Sequence, residues 1–195
     1  MAAISCSYDV FLSFRGSDTR HGFVGNLYKA LDDKGIHTFI DDEKLHRGEE
    51  ITPALMKAIE ESRIAITVLS HNYASSSFCL DELVNIIACA EKKGLLVLPV
   101  FYDLNPSDVR HQKGSYAEAL ERHEERFKDK KESFSHNMDS LEKWKMALHH
   151  VASFSGYHFK QGYPFYQTFT HNFCFIQLLL SNDSVKRKQM FVCYP

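Results

Sequence analysis

One stretch of the sequence, residues 70–83, concentrates side chains that can do chemistry. Near its end it carries two adjacent acids, Asp81 and Glu82, shortly after the aromatic–thiol pair Phe78-Cys79. A carboxylate can stabilise a developing positive charge, and a thiol close to a helix N-terminus is expected to have a lowered pKa. We interpret Cys79 as a small packing residue, because no His motif accompanies it. Two carboxylates, a thiol and an aromatic ring thus stand close together in this stretch.

The sequence on either side of this stretch predicts where it lies in the fold. Residues 64–69 form a short apolar, β-branched run that is typical of a buried strand. Apolar side chains then recur at helical spacing from Leu80 to Ala90. The stretch is thus a strand-to-helix loop with the first turns of the helix. In open α/β sheets, such loops at the carboxyl ends of strands bind ligands.

Composition limits the classes of protein to which the chain can belong. Its 195 residues suffice for one domain and some additional sequence, and its net charge of -2 does not favour nucleic acid as a partner. Five Cys without a CxxC pair indicate free thiols in a reducing compartment, and the eleven His show no metal-ligand spacing. We find no secretory signal and no run long enough to span a membrane. We therefore expect a cytoplasmic or nucleocytoplasmic protein without a metal site.

Strands and helices are predicted to alternate along the chain. Strands are expected at residues 10–14, 36–40, 64–69, 95–101 and 157–159, and helices after Thr19, from Thr52, around Leu80–Lys93, at 115–132 and at 139–154 with a loop at 133–138. This alternation predicts an α/β, flavodoxin-like doubly wound parallel sheet of about five strands in the order 2-1-3-4-5, with helices on both faces. Its switch point would bring the loop at 15–19 beside the loop at 70–78, with Glu82 close to both.

Six ordered motifs over residues 8–160 closely resemble those of plant TIR (Toll/interleukin-1 receptor-like) domains. They are YDVFLSFRGSDTR from Tyr8, GIHTFID from Gly35, RGEEI from Arg47, AIEES from Ala58, CLDEL from Cys79 and PSDVR from Pro106. The resemblance implies a flavodoxin-like fold and innate immune signalling, usually as the N-terminal module of a nucleotide-binding, leucine-rich-repeat receptor. It also implies partners that are other TIR domains, in homo-oligomers or hetero-pairs.

The resemblance further implies an enzyme that cleaves the nicotinamide–ribose bond of NAD when it self-associates, with NAD as substrate and no cofactor. Glu82 matches the catalytic glutamate, and Arg15 and Gly16 match the loop that lines the nucleotide site. Ser70, Phe78 and Cys79 complete the expected substrate site. A charged loop matches the segment that closes over a neighbouring protomer's site, with Asp41, Asp42, Arg47, Gly48 and Glu49 as its candidate residues.

Other interpretations of the same residues remain open. Glu82 could serve only to complement the helix dipole, and Arg15 could be a surface cation near Asp18. The chain would then be a TIR adaptor that binds other TIR domains and does no chemistry. A receiver domain would need acids after strands one and three, where Arg15 and Ser70 stand. A flavodoxin would need a phosphate loop richer in Ser and Thr after strand one.

Three departures from the family pattern stand out. Phe78 replaces a common Trp, and Gly25-Asn26 replaces a Ser-His pair that serves in self-association. The pattern is lost after about residue 162, and no GxxxxGK[ST] motif follows. We therefore divide the chain into an N-terminal extension at 1–7, a TIR domain at 8–162 and a divergent tail at 163–195 that we expect to lie outside the packed domain.

Overall fold

A computed structural model describes residues 6–40, 53–128 and 134–160. The described residues form a five-stranded parallel sheet in the order β2-β1-β3-β4-β5, which confirms the predicted strand order. The strands are β1 (Tyr8–Phe14), β2 (Thr38–Ile40), β3 (Ser62–Leu69), β4 (Leu96–Tyr102) and β5 (Tyr157–Phe159). The fifth strand lies where the sequence predicts it.

Helices follow the strands as the alternation predicts. They are α1 (Gly16–Thr19), a π segment (Arg20–Val24), α2 (Gly25–Asp32), α3 (Pro53–Glu60), a 3-10 turn (Tyr73–Ser75), α4 (Ser77–Lys93), α5 (Pro106–Arg110), α6 (Ser115–Lys128) and α7 (Phe134–Val151). Within the described ranges, none of these helices combines the length and the apolar character that a membrane span requires.

The central strands are apolar because both of their faces are covered. β1 is buried from Val10 to Phe14, and β3 is buried throughout except at Arg63. Two clusters of buried side chains lie against the sheet. One joins β3 and β4 to α4, α6 and α7, and includes the single Trp, Trp144, as expected of a core residue. The other joins β1 and β3 to α3 and α4.

Helix α4 has well-defined ends that follow from its sequence. Ser76 is the N-cap, and its hydroxyl accepts a hydrogen bond from the Cys79 amide at 3.3 Å. Lys92 and Lys93 occupy the last turn, where cations complement the helix dipole. Gly94 follows with a φ of 73°, a left-handed conformation that glycine adopts without strain. The predicted end of this helix is confirmed.

Two helical regions differ from the sequence prediction. The predicted loop at 133–138 is helical from Phe134, so α7 begins five residues before the expected start at Asp139. The polar residues of this region favour a loop by their low hydrophobicity, but they carry no signal that stops a helix. In addition, the helix expected after Thr19 is interrupted by the π segment Arg20–Val24. The tail at 163–195 lies outside the described residues, so its position outside the packed domain stays a prediction.

Candidate active site

The carboxyl ends of β1 and β3 meet at the switch point of the sheet. β1 pairs with β2 on one side and β3 on the other, and Phe14 lies opposite Val68 in the register. The loops that leave these two strands therefore begin side by side. This is the position at which open α/β sheets bind ligands.

Asp18 joins the two loops through its carboxylate. Its Oδ2 accepts hydrogen bonds from the Ser70 hydroxyl at 2.6 Å and from the Asn72 amide at 3.1 Å. Its Oδ1 accepts from Ser17 Oγ at 3.0 Å and from Asn72 Nδ2 at 3.4 Å. Both carboxylate oxygens are thus used within the protein, and the loop after β1 is held against the loop after β3.

Arg15 lies in the first of these loops with a donor available. It is the N-cap residue of α1, and its carbonyl accepts hydrogen bonds from the Asp18 amide and from the Thr19 amide and hydroxyl. Its Nε atom is buried and has no hydrogen-bond partner among the described residues. A buried donor without a partner is costly, so an anion placed here would gain a strong, charge-assisted hydrogen bond.

Glu82 lies in the second turn of α4, which begins at Ser77. Only 4% of its surface is exposed, so it is a buried acid. Its negative charge acts on its surroundings, because it contributes, after burial, to raising the pKa values of Tyr73 and Cys79. The carboxylate therefore lies near the base of the loop at 70–79.

The thiol of Cys79 is not activated. Burial, followed by the charge of Glu82, raises its pKa to about 12, although its position near the helix N-terminus predicts a lowered pKa. Its Sγ donates a weak hydrogen bond to the carbonyl of Phe14, at 3.7 Å. Arg15 acts on the same thiol and lowers its pKa. Arg15 and Glu82 thus have opposite effects on the pKa of this thiol, and burial keeps it neutral.

The remaining expected substrate residues occupy different environments. Ser70 is buried, and its hydroxyl is committed to Asp18. Phe78 is partly buried and packs against the apolar cluster under α3. At Gly16, a Cβ would lie 3.3 Å from Nε of Arg20, so the glycine leaves room for that guanidinium. Asp41, Asp42, Arg47, Gly48 and Glu49 lie outside the described residues, and their role stays a prediction.

A layer of buried polar side chains behind the loop at 70–79 is not apparent from the sequence. Three of its members donate to a backbone carbonyl of this loop: Tyr116 to Ser70 at 3.0 Å, His123 to Ala74 at 3.0 Å and Tyr73 to Cys79 at 3.0 Å. Ser13 completes the layer by bonding the Tyr73 hydroxyl at 2.8 Å. Only Ser13 stands out in the sequence, as a polar residue inside an apolar strand, and its residue type does not reveal its partner.

This arrangement can hold an anionic ligand and act on a positive centre. The segment after β1 supplies a cation with a buried, unpartnered donor, and the segment after β3 supplies a buried carboxylate. Among the described residues, no three potential metal-ligating side chains of His, Cys, Asp or Glu come together.

The sheet order and the layers of helices define a flavodoxin-like α/β domain with its candidate site at the switch point. The family model of the TIR domain matches residues 7–168, and this chain belongs to the TIR family. The TIR domains in the structure of the activated Roq1 resistosome directly recognizing the pathogen effector XopQ are 48% identical to it. They superpose with a TM-score of 0.74 over 87% of this chain and 99% of that chain.

Plant disease resistance proteins are among the similar sequences. The TMV resistance protein N of Nicotiana glutinosa is 49% identical over 150 residues, which is 77% of this chain and 12% of that protein. The disease resistance protein RPV1 of Vitis rotundifolia is 51% identical over 152 residues, which is 78% of this chain and 10% of that protein. The chain thus spans about an eighth or less of the length of these relatives.

Proposed function

We propose that this chain is a TIR signalling domain of plant defence that self-associates and cleaves NAD at the nicotinamide–ribose bond. The observation that carries the proposal is the position of two groups in the segments that follow β1 and β3 at the switch point: the buried carboxylate of Glu82, and Arg15, whose buried Nε has no hydrogen-bond partner among the described residues. NAD offers a diphosphate for a cation and a ribose for a carboxylate. The similarity to resistance proteins and to the Roq1 TIR domains supports a role in defence signalling within a cytoplasmic or nucleocytoplasmic assembly.

The proposed reaction breaks the bond between C1′ of the ribose and the nicotinamide nitrogen. Nicotinamide leaves with the bonding electron pair, and the ribose passes through an oxocarbenium-like state. Glu82 stabilises this positive charge and orients the ribose hydroxyls, and the low exposure of the site strengthens the electrostatic effect. Water then adds to C1′ and releases one proton, which gives ADP-ribose. The reaction needs no metal or redox cofactor, and NAD is the substrate.

Replacement of Glu82 tests the catalytic proposal. Glu82→Gln keeps the size of the buried side chain and removes its charge, and we expect nicotinamide release from NAD to fall at least roughly 100-fold. Nicotinamide would be measured chromatographically with the purified chain at high concentration, because activity is proposed to require self-association. Full turnover by the variant would show that the carboxylate has been assigned to the wrong residue.

Asp81 provides a matched control on the same helix. Its Oδ1 accepts a hydrogen bond from Trp144 Nε1 at 2.7 Å, so its side chain faces α7. Asp81→Asn removes the neighbouring charge but keeps an acceptor for the indole. We expect this variant to retain nicotinamide release within about threefold of the unsubstituted chain, a change of under ~1 kcal/mol in barrier height.

The second candidate is an adaptor that pairs with other TIR domains and does no chemistry. The 4% exposure of Glu82 favours this alternative, since a buried acid can have a purely structural role. Tethering the chain into oligomers separates the two functions. If the tethered chain binds other TIR domains but releases no nicotinamide, the adaptor function is correct.

A further inference from the structure

Arg15 is held between two anchoring points in the loop after β1. On one side, the carbonyl of the preceding residue, Phe14, accepts the Cys79 thiol at 3.7 Å. On the other, the carboxylate of Asp18 is bound to the loop after β3. Between them, the carbonyl of Arg15 accepts the Thr19 hydroxyl at 3.2 Å. The backbone that carries the guanidinium is therefore fixed on both sides.

Asp18 itself has little capacity left for a ligand. Its two oxygens accept four hydrogen bonds, from Ser17, from Ser70 and from two groups of Asn72. A carboxylate would also repel the phosphates of a dinucleotide. The presence of Asp18 beside a proposed anion site is explained if its carboxylate holds the protein loop in place and does not contact the substrate. The strong bond to the buried Ser70, at 2.6 Å, ties it to the rigid end of β3.

We propose that Asp18 is a positioning residue that fixes Arg15 for the diphosphate of NAD or ADP-ribose. This inference rests on the proposed function. It assigns the diphosphate to the loop after β1 and the ribose chemistry to Glu82. Asp18 affects binding through Arg15, so its loss weakens nucleotide affinity and raises KM more than it lowers kcat.

Two variants of Asp18 differ in the hydrogen bonds that they preserve. Asp18→Ala removes all four. Asp18→Asn keeps an oxygen for the Ser70 hydroxyl and the Asn72 amide, and its NH₂ group can donate to Ser17 Oγ. It loses only the longest of the four bonds, the one from Asn72 Nδ2 at 3.4 Å. We therefore expect Asp18→Asn to restore the affinity that Asp18→Ala loses. A residue that only supplied negative charge would show no such rescue.

The first measurement is the affinity of the full chain for ADP-ribose, by titration calorimetry. We expect Asp18→Ala to weaken binding about tenfold, which corresponds to the loss of one charge-assisted hydrogen bond. Asp18→Asn should bind within about threefold of the unsubstituted chain. In an Arg15→Ala background, Asp18→Ala should change the affinity less than about twofold, because the side chain through which it acts is gone.

The outcomes separate this inference from the proposed function. If the unsubstituted chain binds ADP-ribose and Asp18→Ala binds equally well, or loses the same factor with and without Arg15, the positioning role is wrong and the nucleotide site stands. If the unsubstituted chain binds no ADP-ribose, both the nucleotide site and the role of Asp18 are overturned.

A second measurement needs no nucleotide. Amide hydrogen exchange of residues 15–19 in the free chain should speed up at least about tenfold in Asp18→Ala and stay unchanged in Asp18→Asn. Unchanged exchange in Asp18→Ala contradicts the inference. Should Asp18→Ala fail to fold, Ser70→Ala removes the strongest of the four bonds, and the same direction of change in affinity and exchange is expected.

Discussion

His123 shows how a residue outside the candidate site can hold one of its loops in place. It lies on α6, is buried, and donates from Nε2 to the carbonyl of Ala74 in the 3-10 turn. Its ring packs edge-on against Trp144, with 5.0 Å between ring centroids. A neutral imidazole therefore stabilises the loop that precedes α4 through this hydrogen bond.

The protonation of His123 links stability to pH. Burial lowers its pKa, and the charges of Arg126 and Arg122 lower it further, although the hydrogen bond to Ala74 acts in the opposite direction. The unfolded chain therefore binds this proton more readily than the folded chain, so stability is lost as pH falls below the ordinary value of about 6.5. We expect the melting temperature to fall between neutral pH and about pH 5 partly because of His123.

His123→Phe isolates this contribution. The variant loses the hydrogen bond to Ala74 at every pH, so its melting temperature is lower throughout. Its dependence on pH should be flatter than that of the unsubstituted chain, and the two curves should converge as pH falls. Parallel curves measured by calorimetry would show that His123 is not the group responsible.

The residues of the site are predictable from the sequence only in part. Topology alone places Arg15 and Glu82 near one switch point, because parallel strands bring their carboxyl ends together. The hydrogen bond between Asp18 and Ser70 joins residues 52 positions apart, and neither residue type allows its partner to be predicted. The burial of Glu82 is equally hidden, since it depends on the depth at which α4 packs.

At the level of elements, the π segment explains a glycine that helix propensity disfavours. Gly25 follows the segment, and its amide donates to the carbonyl of Arg20, five residues earlier. A Cβ on Gly25 would lie 2.8 Å from that carbonyl oxygen. In a regular helix, glycine at position 25 would only lower stability. The sequence pattern does not reveal the one-residue insertion of a π turn, so it does not show why glycine is needed there.

Gly25→Ala tests this explanation. Helix propensity alone would make the variant more stable by about 1 kcal/mol, but the contact with the Arg20 carbonyl should outweigh this gain. We expect a lower melting temperature. Gly22→Ala is the matched control within the π segment, because its Cβ would meet nothing within 4 Å, and we expect it to raise the melting temperature.

At the β5 edge of the sheet, the backbone of Gly156 lies very close to β4. Gly156 precedes β5, and a Cβ there would lie 2.5 Å from the carbonyl oxygen of Pro99 and 2.9 Å from the ring of Phe101. β5 has only three residues, and Tyr157 pairs with Val100. A short edge strand has few other contacts through which to absorb such a displacement.

We therefore expect Gly156→Ala to displace β5 and to destabilise the domain by about 3 kcal/mol, the upper end of the usual cost of overpacking. Chemical denaturation would measure the loss of stability. Amide hydrogen exchange would locate it, because the substitution should speed up exchange more in β5 than in β1. Unchanged exchange in β5 would contradict the explanation. The strand itself is predictable from its aromatic residues, but the close approach that seats it is not, since it depends on a neighbour 57 positions earlier in the chain.

The hydrogen bond from Trp144 to Asp81 has an optical consequence. Trp144 is the only tryptophan in the chain, it is 3% exposed, and its indole N–H bonds the residue next to Glu82. The emission of this one fluorophore therefore reports on the first turns of α4 without a label. A protonated imidazole quenches a neighbouring indole, so the same signal would follow the titration of His123 at 5.0 Å. The fluorescence of Trp144 can thus be used to follow the acid titration of His123 and to test the proposed nucleotide binding.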